Sequence, residues 1–184
     1  RRTSSVAHVG ELDLGGNNPI RIQSMTTTNT NDTEACVRQA EEIIKAGGEL
    51  VRFTTQGSRE AENMKNINAG IRADGFTTPL VADIHFNPNV ADVAALYCEK
   101  VRINPGNYVD PARKFIKQEY TDEEYAHELQ KIEERFVPFL NICKKNHTAI
   151  RIGVNHGSLS DRIRNRYGDT PEGIVESCME FLRI

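Results

Sequence analysis

The chain has 184 residues, 38% hydrophobic and 27% charged, with a formal net charge of −3. That composition supports one sizeable core, and nothing in it argues for nucleic acid as a bulk electrostatic partner, so none is expected. No apolar run reaches the ~18 residues of a membrane span and no signal-peptide pattern is present, so a soluble, cytoplasmic protein without a membrane partner is expected. The chain opens at Arg1 without Met and closes at Ile184 inside a helical pattern, so a piece of a longer protein is expected.

The predicted elements run as follows. Val6, Leu12 and Leu14 flank turn signals, and Gly15-Gly16-Asn17 is a strong turn, so residues 1–18 read as a hairpin cap. A first strand is expected over 19–26. The polar run TTTNTND then leads to a helix over 33–46 with Cys36, Ala40, Ile43 and Ile44 on one face. A second strand over 50–55 precedes a helix carrying Ala61, Met64, Ile67 and Ile71. A third strand covers 80–86. Asn87-Pro88 starts a helix with Val90, Ala94 and Tyr97. A fourth strand over 100–104 is stopped by Pro105-Gly106. A short helix is expected from Asp110-Pro111, and a long one over 121–145. Thr121 and Glu124 are spaced as a capping box there. Its apolar stripe is Tyr125, Leu129, Ile132, Phe136, Leu140 and Cys143, and Pro138 should kink or split it. A fifth strand covers 149–155. Thr170-Pro171-Glu172 opens a last helix with Ile174, Cys178 and Phe181.

Strand–helix alternation of this kind means a parallel sheet with helices outside it. Residues 19–184 thus read as five β/α units. A complete eight-stranded barrel takes about 250 residues, so the expected fold is α/β, a TIM-type barrel truncated to about its first five units, with an N-terminal β-hairpin.

Strand side chains alternate faces. One parity set is Ile20, Ile22, Val51, Phe53, Ala82, Ile84, Phe86, Val101, Ile103, Ile150, Ile152 and Val154, which should pack on the helices. The other is Arg21, Gln23, Arg52, Thr54, Asp83, His85, Arg102, Asn104, Arg151, Gly153 and Asn155. This polar set faces inward, toward the strand carboxyl ends where barrel sites sit. Four of its members are arginines and one is an aspartate. Two like charges ~7 Å apart repel by roughly 2 kcal/mol at an effective dielectric of ~20. Arginine does not escape by losing its proton. Arg21, near the strand start, is best read as ion-paired. Arg52, Arg102 and Arg151, placed at matching depth, call for a polyanion such as a phosphate or diphosphate. Asp83 lies two residues before His85, can orient its imidazole, and makes it a possible acid. Two such groups alone do not make a metal site. His8, His127 and His156 have no such neighbour and carry no assignment.

Cys36, Cys98, Cys143 and Cys178 have no ligand spacing, each falls in a segment read as helix, and they are expected as buried free thiols. Asn146-His147-Thr148 matches a glycosylation acceptor by chance.

The segments GGNNPIRIQSMTTTNTND, LVADIHFNP, KVRINPGN and IRIGVNHGSL strongly resemble 4-hydroxy-3-methylbut-2-enyl diphosphate synthases. The resemblance runs from about Val6 to the end. It implies a substrate-carrying TIM-type barrel joined to a C-terminal [4Fe-4S] domain that is absent from this chain. The implied reaction is reductive ring opening and dehydration of 2-C-methyl-D-erythritol 2,4-cyclodiphosphate to hydroxymethylbutenyl diphosphate, in isoprenoid biosynthesis. The implied electron donor is ferredoxin or flavodoxin, and the full-length protein is expected as a homodimer. Carried over by motif, the substrate-binding residues are Arg52, His85, Arg102, Asn104, Arg151 and Asn155, with Gln23 and Asp83 less defined in role. The cluster ligands of such enzymes, three cysteines and a glutamate, are not in this sequence, so no metal site and no turnover are expected of the chain alone. The long connection from Asn107 to Ala149 resembles larger variants with an inserted domain. Two other readings stand beside this one: a pteroate-synthase-like barrel that binds a diphosphate ester, and a non-catalytic scaffold.

Overall fold

A computed structural model describes residues 2–111 and 119–184. The chain starts with an antiparallel hairpin of β1 (Val6–Val9) and β2 (Leu12–Gly15). Five parallel strands follow in neighbour order: β3 (Gln23–Met25), β4 (Leu50–Thr55), β5 (Leu80–Ile84), β6 (Lys100–Ile103) and β7 (Ala149–Ile152). Between and after them lie α1 (Thr33–Lys45), α2 (Ser58–Ala73), α3 (Pro88–Ala94), α4 (Asp122–Asn146), α5 (Asp161–Tyr167) and α6 (Pro171–Leu182).

Local chemistry sets the helix starts. Asp32 accepts from the Ala35 amide at α1, Asn87 caps α3 ahead of Pro88, and Thr121 with Glu124 forms the expected capping box on α4. The outer face of the sheet is apolar. Val51, Phe53, Ala82, Ile84, Val101 and Ile103 pack on helix residues such as Ala40, Met64, Ile67 and Phe136. Each fully buried Phe or Ile contributes about 1.5–3 kcal/mol.

The inner face has an apolar floor. Leu50 and Val81, at the amino ends of β4 and β5, pack with Val9 of the hairpin, and Leu12, Leu14 and Ala149 surround them. The hairpin therefore covers the inner face at the strand starts.

Several expectations are corrected. The first strand is only Gln23–Met25, and Ile20 and Ile22 are 81% and 60% exposed rather than packed on helices. The segment before Gln23 is held by Glu49, which accepts from the Ile22 amide at 2.8 Å and from Arg21 at 2.9 Å. Phe86 is also outside the core, 65% exposed and with φ of 59°, because β5 ends at Ile84. Val154 lies beyond the end of β7 and is half-buried. Of the two outcomes expected at Pro138, a kink or a split, the split does not occur, since α4 is continuous from Asp122 to Asn146. Pro138 is exposed, so the carbonyl it leaves unpaired can meet water. Helix α5 has no expected counterpart, since its sequence DRIRNRY is mostly charged. The short helix expected from Asp110-Pro111 would run through residues 112–118, outside the described residues. Cys98 lies in the turn after α3, not in a helix, and Cys178 is half-buried.

Candidate functional site

Strand register sorts the inner face into rows. Met25, Arg52, Val81, Lys100 and Ala149 are successive partners along one row. Thr54, Asp83, Arg102 and Arg151 form the next, nearer the carboxyl ends. His85, Asn104 and Gly153 are each two residues further on, and Asn155 lies beyond them. Gln23 partners Leu50, one row below Arg52. Arg102 and Arg151 thus share a height, whereas Arg52 sits one row deeper than expected. Parity reports the face of a strand but not its stagger against a neighbour.

Asp83 is the hub, only 2% exposed. Arg52 Nη2 donates to its Oδ2, Arg102 Nη1 donates to its Oδ1 at 3.1 Å, and His85 Nε2 lies 3.2 Å from Oδ2. Burial alone would raise the Asp83 carboxyl. Arg52, then Arg102 and His85, outweigh burial and hold it below the usual carboxylate range. Burial, together with the neighbouring charges of Arg52 and Arg151, pulls Arg102 below the ordinary arginine value against the support of Asp83.

One carboxylate does not satisfy this set. Arg52 Nε is buried with no hydrogen-bond partner among the described residues. Arg151 is exposed and makes no ion pair there. Lys100, unassigned by the sequence reading, belongs to the same face. Its parity with Arg102 carried that information, but its place at the first residue of β6 obscured it. Arg21 stands apart. It pairs with Glu49 and donates from Nε to the Asp13 carbonyl at 3.0 Å, so it is structural, as its position near the strand start suggested.

The carboxyl-end loops after β6 and β7 repeat one device. Asn104 Oδ1 accepts from the Gly106 amide at 3.1 Å, and Asn155 Oδ1 accepts from the Gly157 amide at 3.0 Å. Asn104 Nδ2 also donates to Ser158 Oγ at 2.7 Å, which joins the two loops. They touch so closely that a Cβ on Gly106 would lie 1.8 Å from the Ser158 carbonyl oxygen. Asn104 is therefore occupied at both ends of its carboxamide and holds the loops in place. Behind them, buried Arg162 bridges Asp110 at 2.9 Å and Glu180 at 2.7 Å, and Tyr125 donates to Glu180. Burial opposes the Arg162 charge, but Glu180 and Asp110 outweigh it and raise its pKa.

Outside this face, His8 Nδ1 lies 2.5 Å from Asp13 and His156 Nε2 lies 2.7 Å from Asp169. These surface carboxylates are partners that sequence spacing did not reveal. The cysteines do not suit an iron–sulfur cluster. Among the described residues no three His, Cys, Asp or Glu side chains converge on one point. Burial also raises every thiol, that of Cys143 to about 12. No helix among the described residues is long and apolar enough to cross a membrane.

Residues 3–184 match the GcpE TIM-barrel domain. The chain is 76% identical over its full length to the 4-hydroxy-3-methylbut-2-en-1-yl diphosphate synthase (flavodoxin) of Phocaeicola vulgatus and covers 30% of that protein. The enzymes of the same name from Bacteroides thetaiotaomicron and Akkermansia muciniphila are 74% and 53% identical over the full chain, which covers 30% and 31% of them. The chain thus spans about 30% of the length of these relatives. With a parallel sheet in barrel order, a polar inner face and a domain match from residue 3 to residue 184, the chain belongs to the GcpE TIM-barrel family.

Proposed function

We propose that this chain is the substrate-binding portion, about five β/α units of a barrel, of an oxidoreductase. In this reading the full-length protein reductively opens and dehydrates 2-C-methyl-D-erythritol 2,4-cyclodiphosphate to 4-hydroxy-3-methylbut-2-enyl diphosphate. Arg52, Arg102 and Arg151 grip the diphosphate. His85, oriented by Asp83, and Asn155 line the same mouth. Asn104 positions the loops, and Gln23 lies deeper. Flavodoxin, which appears in the enzyme names of the relatives, is the electron donor, with ferredoxin the other candidate class. A [4Fe-4S] cluster would be held by residues outside this chain and would supply the electrons to the substrate. The full-length protein acts in the cytoplasm as a homodimer.

The observation that carries this reading is the charge imbalance of the inner face. Its arginines meet a single buried carboxylate, and one guanidinium nitrogen has no partner among the described residues. An anion with several oxygens satisfies such forks bidentately. A pteroate-synthase-like site needs an acid free to meet a ring edge, and Asp83 is already committed to Arg52, Arg102 and His85. A scaffold has no use for desolvated cations.

The test is calorimetric titration of the full-length protein with the cyclic diphosphate. Arg102→Met should weaken binding by about 1.5–3 kcal/mol. Unchanged affinity in a folded Arg102→Met protein would overturn the assignment of this face to the diphosphate.

A further inference from the structure

Lys100 is the cation that the motifs did not mark. Its register partners, Val81 and Ala149, belong to the apolar floor. Its backbone sits two residues below Arg102, and its long stem can lift the ammonium toward the guanidinium row. Among the described residues it makes no hydrogen bond or ion pair. Burial, and then the charges of Arg151 and Arg52, hold its pKa below the ordinary lysine value. A cation on an apolar floor beside other cations is destabilising until negative charge arrives. Arg52 Nε, in the same row, is likewise buried without a hydrogen-bond partner among the described residues.

We propose that Lys100 is a binding residue at the floor of the anion site, and that it selects an opened diphosphate over a cyclic one. This rests on the diphosphate reading above. A cyclic diphosphate has one ionisable oxygen on each phosphorus. Opening the ring breaks a carbon–oxygen bond, and the bonding electron pair leaves on the diphosphate oxygen. Two electrons from the reduced flavodoxin-class donor enter the carbon skeleton, and a hydroxyl departs as water with one proton. The linear diphosphate therefore carries one more ionisable oxygen than the ring did. A cation that meets this new charge favours the transition state over the bound substrate, which is how binding energy becomes rate. The inner-face arginines already suffice for the charge of the ring, and Lys100 supplies the increment.

The experiment uses full-length protein and three titrants: the cyclic diphosphate, the linear product diphosphate and inorganic diphosphate. Lys100→Met should weaken both linear ligands by about tenfold or more and the cyclic one by about threefold or less. Lys100→Arg should restore most of the loss, because charge and not shape is at stake. Equal weakening of cyclic and linear ligands would overturn the selectivity. Unchanged affinities with a lowered melting temperature would overturn the site itself, since Lys100 would then be the ion-pair partner of a carboxylate elsewhere in the protein. Arg102→Met separates the two proposals. If it weakens all three ligands while Lys100→Met weakens none, the Lys100 inference fails and the diphosphate reading stands. If neither variant affects any ligand, both fail. Should Lys100→Met not fold, the same comparison between Lys100→Gln and Lys100→Arg decides.

Discussion

Gly153 lies directly against Arg102. Arg102 Nη2 donates to the Gly153 carbonyl at 2.5 Å, and a Cβ built on Gly153 would come within 2.2 Å of Arg102 Nε. The bare backbone of β7's extension is thus the surface on which the guanidinium rests while it reaches Asp83. Gly153→Ala should dislodge Arg102, lower stability by about 1–3 kcal/mol through overpacking, and weaken diphosphate binding as much as Arg102→Met does. A thermal melt and a titration of the full-length protein check both halves. Wild-type binding by Gly153→Ala would show that the position of Arg102 is immaterial.

Asp83→Asn should destabilise the protein by about 3–5 kcal/mol at neutral pH, because it leaves half-buried Arg52 and Arg102 facing an interior position that no longer holds their carboxylate. The pH dependence has a definite sign. The folded-state pKa of Asp83 is depressed, so its contribution is present above the unfolded value of about 3.9 and is lost as pH falls through the lower folded value. The stability gap between wild type and Asp83→Asn should therefore close in acid, below that unfolded value. Denaturant unfolding at a series of pH values measures it, and a gap independent of pH would refute the ion-pair account.

Arg21 and Arg151 sit in similar sequences, PIRIQS and AIRIGV, but should behave oppositely. Arg21→Met should cost up to about 1 kcal/mol of stability and leave ligand binding unchanged, since Arg21 serves a part-exposed pair with Glu49. Arg151→Met should leave stability unchanged and weaken diphosphate binding by about 1.5–3 kcal/mol, since no carboxylate among the described residues holds Arg151. A reversal of these two outcomes would assign the anion site to the wrong strand.

Arg162→Met should lower stability by about 3–5 kcal/mol, because it strands Asp110 and Glu180 in the interior. The replacement leaves the inner-face cations in place, so any folded Arg162→Met protein should lose less affinity than Arg102→Met. Calorimetric unfolding and titration compare them directly.

Residues 1–184 expressed alone should hold no stoichiometric iron and catalyse no turnover, because the thiols are raised in pKa by burial and do not converge. Iron analysis after reconstitution is the measurement, and one full cluster per chain would contradict the expectation.

Local sequence determined a great deal here. The alternation of turn residues and apolar periodicities was sufficient for the strand order, and the two-residue period of strands was sufficient to sort Arg52, Asp83, His85, Arg102 and Arg151 onto one face. The capping box at Thr121 and the Asn87-Pro88 start were equally local. What required the tertiary structure was everything that depends on one strand's position against another. The deeper row of Arg52, the convergence of two arginines on Asp83, the seat of Arg102 on Gly153 and the inclusion of Lys100 all follow from register. The same holds for Ile20 and Ile22, apolar by sequence but exposed just ahead of the edge strand β3. Side-chain alternation is a property of a single chain segment, whereas register and the ion pairs of Asp83, which span 19 and 31 residues of sequence, are set only when the whole sheet closes on its hydrophobic core.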